Sequence, residues 1–196
     1  CINSENTRQI IYELDPRTFD IVGTYKFRDA NVLAHMNTLT YNPDTNLLYT
    51  TNAMIDGHRI TTIDADTMSI GNTITIPERV FNLAYDKKTN QFMSIVPIDA
   101  TMRRINYYTS QFQLVQSKDI DANYDDYNNN GAFANDGKTI FATLSTVITV
   151  DKTGNVTKIA SFPKNLEIED MDMRHNIMYA AVNSNHKVFI YTMLNY

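Results

Sequence analysis

Cysteine occurs once in these 196 residues, at Cys1, and tryptophan not at all. A single thiol rules out an internal disulfide framework and leaves the redox compartment unread. Long apolar runs are missing too. The longest purely hydrophobic stretches are a few residues, against about 20 for a helix that crosses a bilayer, so no membrane span is expected. The net charge of −5 is mild and spread along the chain, which leaves neither nucleic acid nor an anionic lipid surface as an expected partner. Helical periodicity is absent, since no stretch keeps an i, i+3, i+4 apolar pattern for three turns. There is no Gly-x-Ser-x-Gly elbow, HExxH or CxxC pair, or His-x-His group, so no catalytic residue and no cofactor is assigned.

What the chain has is apolar and aromatic substance, 43% and 11% of residues, enough for a packed core and too much for intrinsic disorder. It also repeats itself. One turn family runs Leu14-Asp15-Pro16-Arg17-Thr18-Phe19, Ile63-Asp64-Ala65-Asp66-Thr67-Met68, Ile105-Asn106-Tyr107-Tyr108-Thr109-Ser110 and Val150-Asp151-Lys152-Thr153-Gly154-Asn155, at intervals of roughly 45 residues. A second is interleaved with it: Tyr41-Asn42-Pro43-Asp44-Thr45-Asn46, Tyr85-Asp86-Lys87-Lys88-Thr89-Asn90, Phe133-Ala134-Asn135-Asp136-Gly137-Lys138 and the shorter Met173-Arg174-His175-Asn176. Asn, Asp and Gly accept turn dihedrals, and Asp or Thr side chains bond the turn's own backbone. Segments such as Leu47-Leu48-Tyr49 and Ile177-Met178-Tyr179 read as buried inner strands. Arg59-Ile60-Thr61-Thr62-Ile63 alternates as a strand with one wetter face should.

Two hairpins per repeat make a four-stranded meander. The expected fold is therefore all-β, a β-propeller of four-stranded antiparallel meander blades, about five blades with one incomplete or irregular. A β-sandwich would explain the short strands but not the strict alternation of two turn types. One propeller domain is expected over 1–196, with repeats near 8–27, 28–76, 77–120, 121–162 and 163–196. With strands lettered A to D outward, the order reads C-D, then A-B-C-D three times, then A-B-C. Both ends thus offer a C strand, and Arg8 to Phe27 and Lys187 to Tyr196 are expected either to pair in an irregular closing blade or to associate with another chain through their edges. The motif apolar-Asp-x-x-Thr in one hairpin, with Tyr-Asn/Asp-x-x-Thr-Asn in the next, resembles the YVTN/NHL-like repeat superfamily of β-propellers from about Arg8 to Met193. The resemblance implies the fold and leaves function open, because such propellers include enzymes, lipoproteins and adhesins.

Candidate chemistry is thin. The acidic run from Asp119 to Tyr127 places Asp119, Asp121 and Asp125 at alternating spacing, as calcium ligands would be. The match breaks at Tyr124, where a calcium loop needs Gly, and at Asn130, where it needs a bidentate Glu, so no metal is assigned and these three are weak candidates. The same connection, extended by Asn128 and Asn129, is a candidate for presentation to a partner. Tyr107, Tyr108, Tyr124, Tyr127, Asn128 and Asn129 are the candidate ligand-binding residues. Tyrosine offers a flat apolar face with a polar tip, suited to a protein hot spot or a sugar ring, and packing between blades is its alternative use. His35, His58, His175 and His186 are scattered, and His35 is expected near a central channel. Glu167, Glu169, Asp170 and Asp172 enter one inner strand together, which a glycosidase pair or simple polar-out alternation would both explain. The expected function is a non-catalytic recognition or assembly scaffold that binds a protein or a surface carbohydrate through blade-connecting loops, as a phage receptor-binding or cell-surface component does. An extracellular, cell-surface or virion location is expected rather than a cytoplasmic one. The rival is a metal-dependent hydrolase or lactonase with its site in the channel. Cys1 leaves open a lipidated mature end or an ordinary boundary.

Overall fold

A computed structural model describes the chain apart from residues 1, 6–7, 28–32, 34, 53–56, 100, 122–128, 136–137, 144–145, 152, 164–165, 175–176, 185–186 and 195–196. Among the described residues every regular element is a β-strand. Five antiparallel sheets follow one another along the chain. Sheet I comprises β1 (Ile2–Glu5), β2 (Arg8–Leu14) and β3 (Ile21–Phe27). Sheet II comprises β4 (Thr40–Asn42), β5 (Leu47–Thr51), β6 (Arg59–Asp64) and β7 (Ile70–Thr75). Sheet III comprises β8 (Ala84–Asp86), β9 (Gln91–Pro97), β10 (Met102–Thr109) and β11 (Leu114–Asp121). Sheet IV comprises β12 (Asn129–Asn135), β13 (Lys138–Thr143), β14 (Thr146–Val150) and β15 (Val156–Ser161), and sheet V comprises β16 (Glu167–Arg174), β17 (Ile177–Ser184) and β18 (Lys187–Leu194). Within each sheet the strands pair in sequence order.

The turn residues explain the meander. After β4 and β8, Asn46 and Asn90 take the left-handed conformation at φ 54°. Asparagine tolerates it better than most residues. The hydroxyl of Tyr41 donates to Asn46 Oδ1 at 2.9 Å, and that of Tyr85 to Asn90 Oδ1 at 2.9 Å. The spacing from Tyr to Asn in these motifs is thus a side-chain strap across a hairpin. In the other turn family, Asp64 Oδ1 accepts from the amides of Asp66 and Thr67 and from the Thr67 hydroxyl. Asp15 and Asp151 do the same for their own turns. These donors hold all three carboxyls below the usual carboxylate range.

Sheets stack face to face, and among the described residues large side chains fill the gaps between I and II, II and III, and III and IV. Between II and III lie Tyr49, Ile60, Tyr85, Phe92, Tyr108 and Phe112, with Phe92 and Phe112 stacked at 4.5 Å between centroids and Tyr49 tilted against Phe92 at 4.7 Å. Between III and IV lie Met93, Ile95, Ile105, Ile148 and Val150, and between I and II lie Ile11, Leu33, Met36 and Ile63. A recurrent device crosses these gaps. The left-handed residue closing the outer turn is bulky and apolar: Phe19 at φ 60°, Met68 at 53° and Phe112 at 60°. Phe112 reaches the II/III core and Met68 the I/II core, so each leans on the preceding sheet. Phe19 of sheet I meets Tyr179 of sheet V edge-on at 6.1 Å. The first sheet therefore leans on the last.

Several expectations change. Sheet I begins at Ile2 rather than near Arg8, because β1 pairs with β2 through its main chain; with a single apolar residue, Ile-Asn-Ser-Glu carries no periodic signal. The third outer turn is not at Ile105–Ser110, which lies almost wholly in β10. The chain turns at Thr109–Gln113, where the Thr109 hydroxyl accepts from Gln111 and Gln113 amides in place of an Asp. The strand β6 does not alternate, since Ile60 to Ile63 are all buried between two neighbouring sheets. The terminal segments do not pair with each other among the described residues: β18 bonds β17, and β1 to β3 form their own sheet. Phe92 is fully buried at the centre of the aromatic stack. Phe92→Ala is therefore expected to lower unfolding free energy by about 3–5 kcal/mol in chemical denaturation. Ile21→Ala, at a 59% exposed outer-strand residue, should change it by less than about 0.5 kcal/mol.

Candidate functional site

An up-and-down meander sends the first-to-second and third-to-fourth strand turns to one end of the strands and every other connection to the opposite end. The turn end is the one strapped by Tyr and Asp. Its straps also cross between sheets: the Tyr85 hydroxyl donates to Asp44 of the previous sheet at 3.1 Å, and burial, aided by that carboxylate, pushes Tyr85 up to about 12.

The connection end presents different chemistry. Residues 76–82, running from sheet II into sheet III, are drawn down by five contacts. The Val80 amide donates to Gly57 O at 2.6 Å. The Thr51 hydroxyl and the Asn37 side-chain amide both donate to Phe81 O, at 3.1 and 2.7 Å. His58 Nδ1 lies 3.2 Å from Ile76 O and 3.1 Å from Glu78 O. Two carbonyl acceptors place the proton on that nitrogen. On the outside of this pinned loop the Arg79 guanidinium lies 4.8 Å from the centroid of the Phe81 ring. Gly57, at φ 69°, passes against the pair; a Cβ there would lie 3.4 Å from the Phe81 ring and 3.5 Å from Arg79 Nε. At the same end of sheet III, Ile98 is 45% exposed, and Asp99 caps the next turn through the Thr101 and Met102 amides. A cation stacked on an aromatic ring, on a loop fixed by backbone bonds, is the composition and the rigidity of a protein-binding hot spot.

Of the residues singled out from sequence, the described ones fall elsewhere or serve as supports. Tyr108 is fully buried in the II/III core, and Tyr107 is half-buried against the III/IV core, where burial raises its hydroxyl pKa with a contribution from Asp151. Tyr124, Tyr127, Asn128 and Asp125 lie outside the described residues, and Asn129 opens β12. Both Asp119 oxygens accept from Arg104, at 2.7 and 2.9 Å, which holds the carboxyl low; Asp121 ends β11 and is exposed. His35 is exposed, His58 is the loop clamp, and His175 and His186 lie outside the described residues. The Arg79–Phe81 pair carries no recurrent spacing, so repeat analysis passed over it. Its one visible signal was an Arg-Val-Phe triplet directly before an inner strand.

No protein-family model matches the chain, and no curated protein matches it by sequence. Solved structures do. A chain of a nidogen/laminin complex aligns over 99% of this chain and 92% of its own length, with TM-score 0.62 and 10% identity. The RRP9 WD40 repeats align over 93% of this chain and 55% of theirs, with TM-score 0.54 and 12% identity. The fold is a β-propeller. A streptogramin B lyase aligns over 82% of this chain and 54% of its own, with TM-score 0.51 and 11% identity. The chain spans about half the length of the RRP9 and lyase chains. Identities this low speak for the propeller alone, and what the blades present must be argued from their side chains.

Thr51 links a blade strand to the Arg79–Phe81 loop by one side-chain bond. Thr51→Val is expected to cost about 1 kcal/mol and to speed amide exchange at Val80 selectively, with the Phe92 amide unchanged. Equal acceleration at both would show that the loop is not separately pinned.

Proposed function

We propose that this propeller is a non-catalytic recognition scaffold of the YVTN/NHL-like kind, one domain over 1–196, that binds a protein partner through its connection end. The observation that carries this reading is the Arg79–Phe81 pair on a loop held by Thr51, Asn37, His58 and Gly57. Preorganisation of this kind removes part of the entropy cost of binding. Arginine and aromatic residues are enriched where interfaces concentrate their energy. The sequence between β11 and β12 carries Tyr124, Tyr127 and Asn128, further candidates for polar contacts to the same partner. An extracellular, cell-surface or virion setting, as in a phage receptor-binding component, suits an Asn- and Tyr-rich scaffold with one cysteine. Edge pairing at β3 or β18 is a further mode of association for such a chain.

The test is a binding comparison between the wild-type chain, an Arg79→Ala/Phe81→Ala double variant and Asp66→Ala at the turn end. A protein ligand isolated with the wild type is expected to bind the double variant at least about tenfold more weakly, a loss of about 1.4 kcal/mol or more, with melting temperature unchanged. Asp66→Ala should bind normally. Loss with Asp66→Ala instead would move the site to the turn end, and binding to arrayed glycans but to no protein would make the ligand a carbohydrate.

The rival, a hydrolase using a divalent metal in the channel, finds its best foothold in Asp170, whose carboxyl is raised to about 7 on an innermost strand. Main-chain amides already occupy both of its oxygens. Treatment with EDTA is accordingly expected to leave the melting temperature where it is. A fall of several degrees, reversed by calcium or magnesium, would favour the enzyme, since a bound ion stabilises by mass action.

A further inference from the structure

The innermost strands, with the residues that lead into them, have one position in common. Thr38, Asn82, Asn130 and Asp170 each stand three residues before the residue that opens the first turn of their sheet, Tyr41, Tyr85, Phe133 and Met173. In β12 and β16 this position falls at a register shift in the pairing with the next strand. Three of the four residues are neutral and polar, and the fourth is an acid.

They also bond differently. Asn82 stays within its own sheet: its Nδ2 donates to Ile95 O at 3.2 Å and its Oδ1 accepts from the Ile95 amide at 2.9 Å. Asp170 reaches out of its sheet. Its Oδ2 accepts from the Leu39 amide at 2.9 Å, and its Oδ1 accepts from the Thr38 hydroxyl at 3.4 Å and from its own neighbour, the Met171 amide, at 2.9 Å. Leu39 lies 131 residues earlier in sequence, in the segment that enters β4. Phe19 and Tyr179 touch where sheet I meets sheet V, beside the same junction. Two independent contacts therefore bring the end of the chain onto its beginning.

We propose that Asp170 is a proton-operated latch, which ties the last innermost strand to the first and holds the ring closed more firmly when its carboxyl is protonated. In the ionised state an enclosed negative charge must be carried at the seam. Asp172, two residues along on β16, adds a like charge, and Glu167 and Glu169 precede it on the same strand. The facing segment offers His35, exposed at its start, and the neutral Thr38 and Leu39. The paired residue on β17 is Ala181, and the sequence of β12, Asn129–Asn135, contains no charged residue. Burial is the largest influence and pushes the carboxyl up to about 7, against the pull of the Leu39 and Met171 amides; Asp172 pushes in the same direction as burial.

The sign follows by linkage. A group whose folded-state value lies above its unfolded value of 3.8 contributes stability that is complete below about pH 4 and is lost as pH rises through about 7. When protonated, Oδ1 can donate to the Thr38 hydroxyl while Oδ2 still accepts from Leu39, so the latch loses a buried charge and keeps its bonds. Asparagine, the residue this chain already uses at positions 82 and 130, is uncharged at every pH and can keep the Leu39 bond through its Oδ1, at the loss of the acceptor for the Met171 amide.

The test uses the full chain as wild type, Asp170→Asn and Asp170→Ala, melted at intervals from pH 5 to pH 8. Differences between wild type and Asp170→Asn subtract the titration of the histidines and of the other carboxyls. Between pH 5.5 and 8 the wild type is expected to lose about 3 °C or more relative to Asp170→Asn, given the few degrees per kcal/mol usual at this size. Asp170→Ala should melt below both at pH 5.5. A carbon-13 titration of the Asp170 carboxyl in the wild type should show a midpoint near 7, and protection of the Leu39 amide should fall in parallel. Parallel melting curves for wild type and Asp170→Asn, or a midpoint near 4, would overturn the latch. The titration decides even if the alanine variant fails to fold.

Discussion

The central strands of this protein are apolar on both faces, and the architecture follows from what that demands. On β9 and β10, Phe92 and Tyr108 point into one core while Met93, Ile95 and Ile105 point into the next. A free four-stranded sheet of this composition would expose one of those faces to water, at about 25 cal/mol for each square ångström of apolar surface. Each sheet consequently needs a neighbour on either side, and stability is shared through interfaces rather than owned by single repeats. Serial stacking satisfies the middle sheets. Contact between the first sheet and the last serves the ends, which gives Phe19 against Tyr179, and beside it Asp170 against the Leu39 segment that leads into sheet II, a weight beyond their size.

The same demand explains what the sequence revealed and what it concealed. Turn chemistry is local, and the Asp-x-x-Thr and Tyr-to-Asn motifs could be read directly because each bond they make closes within a few residues. Sheet order and the propeller fold came with them. The third outer turn was misplaced because Thr109 does there what Asp does elsewhere, and the recurring apolar-polar pattern slid onto β10. That shift carried Tyr108 from the core into an imagined loop. In β6, alternation of Ile and Thr looked like one wet face, yet both faces are dry, because threonine packs between sheets when its hydroxyl finds a partner such as Thr73. Non-local facts left no mark in the pattern. Nothing in Arg79-Val80-Phe81 announces that Gly57, Asn37 and Thr51 will hold the loop from two other connections and strands.

The two ends of the strands divide rigidity from recognition. At the turn end the described Asp, Asn and Thr side chains of the turn motifs bond their own hairpins, and of the left-handed residues that close the outer turns Met68 and Phe112 spend their side chains on packing. Backbone strain at a bulky left-handed residue is offset there by buried aromatic or thioether surface. Among the described residues of the connection end, Arg79 and Ile98 are exposed and the half-buried Phe81 ring lies against the Arg79 guanidinium.

Asn82 and Asp170 show how one register position can serve either the sheet or the ring. Asparagine carries a donor and an acceptor, so it can satisfy both the amide and the carbonyl of Ile95 across a break in strand pairing. An ionised aspartate carries acceptors only and cannot complete that exchange. Donors must come from elsewhere, and the amide of Leu39 on the far side of the seam supplies one. A residue that fails at the within-sheet task is thereby turned toward the neighbouring innermost strand, where a ring built from consecutive sheets has no covalent connection to rely on.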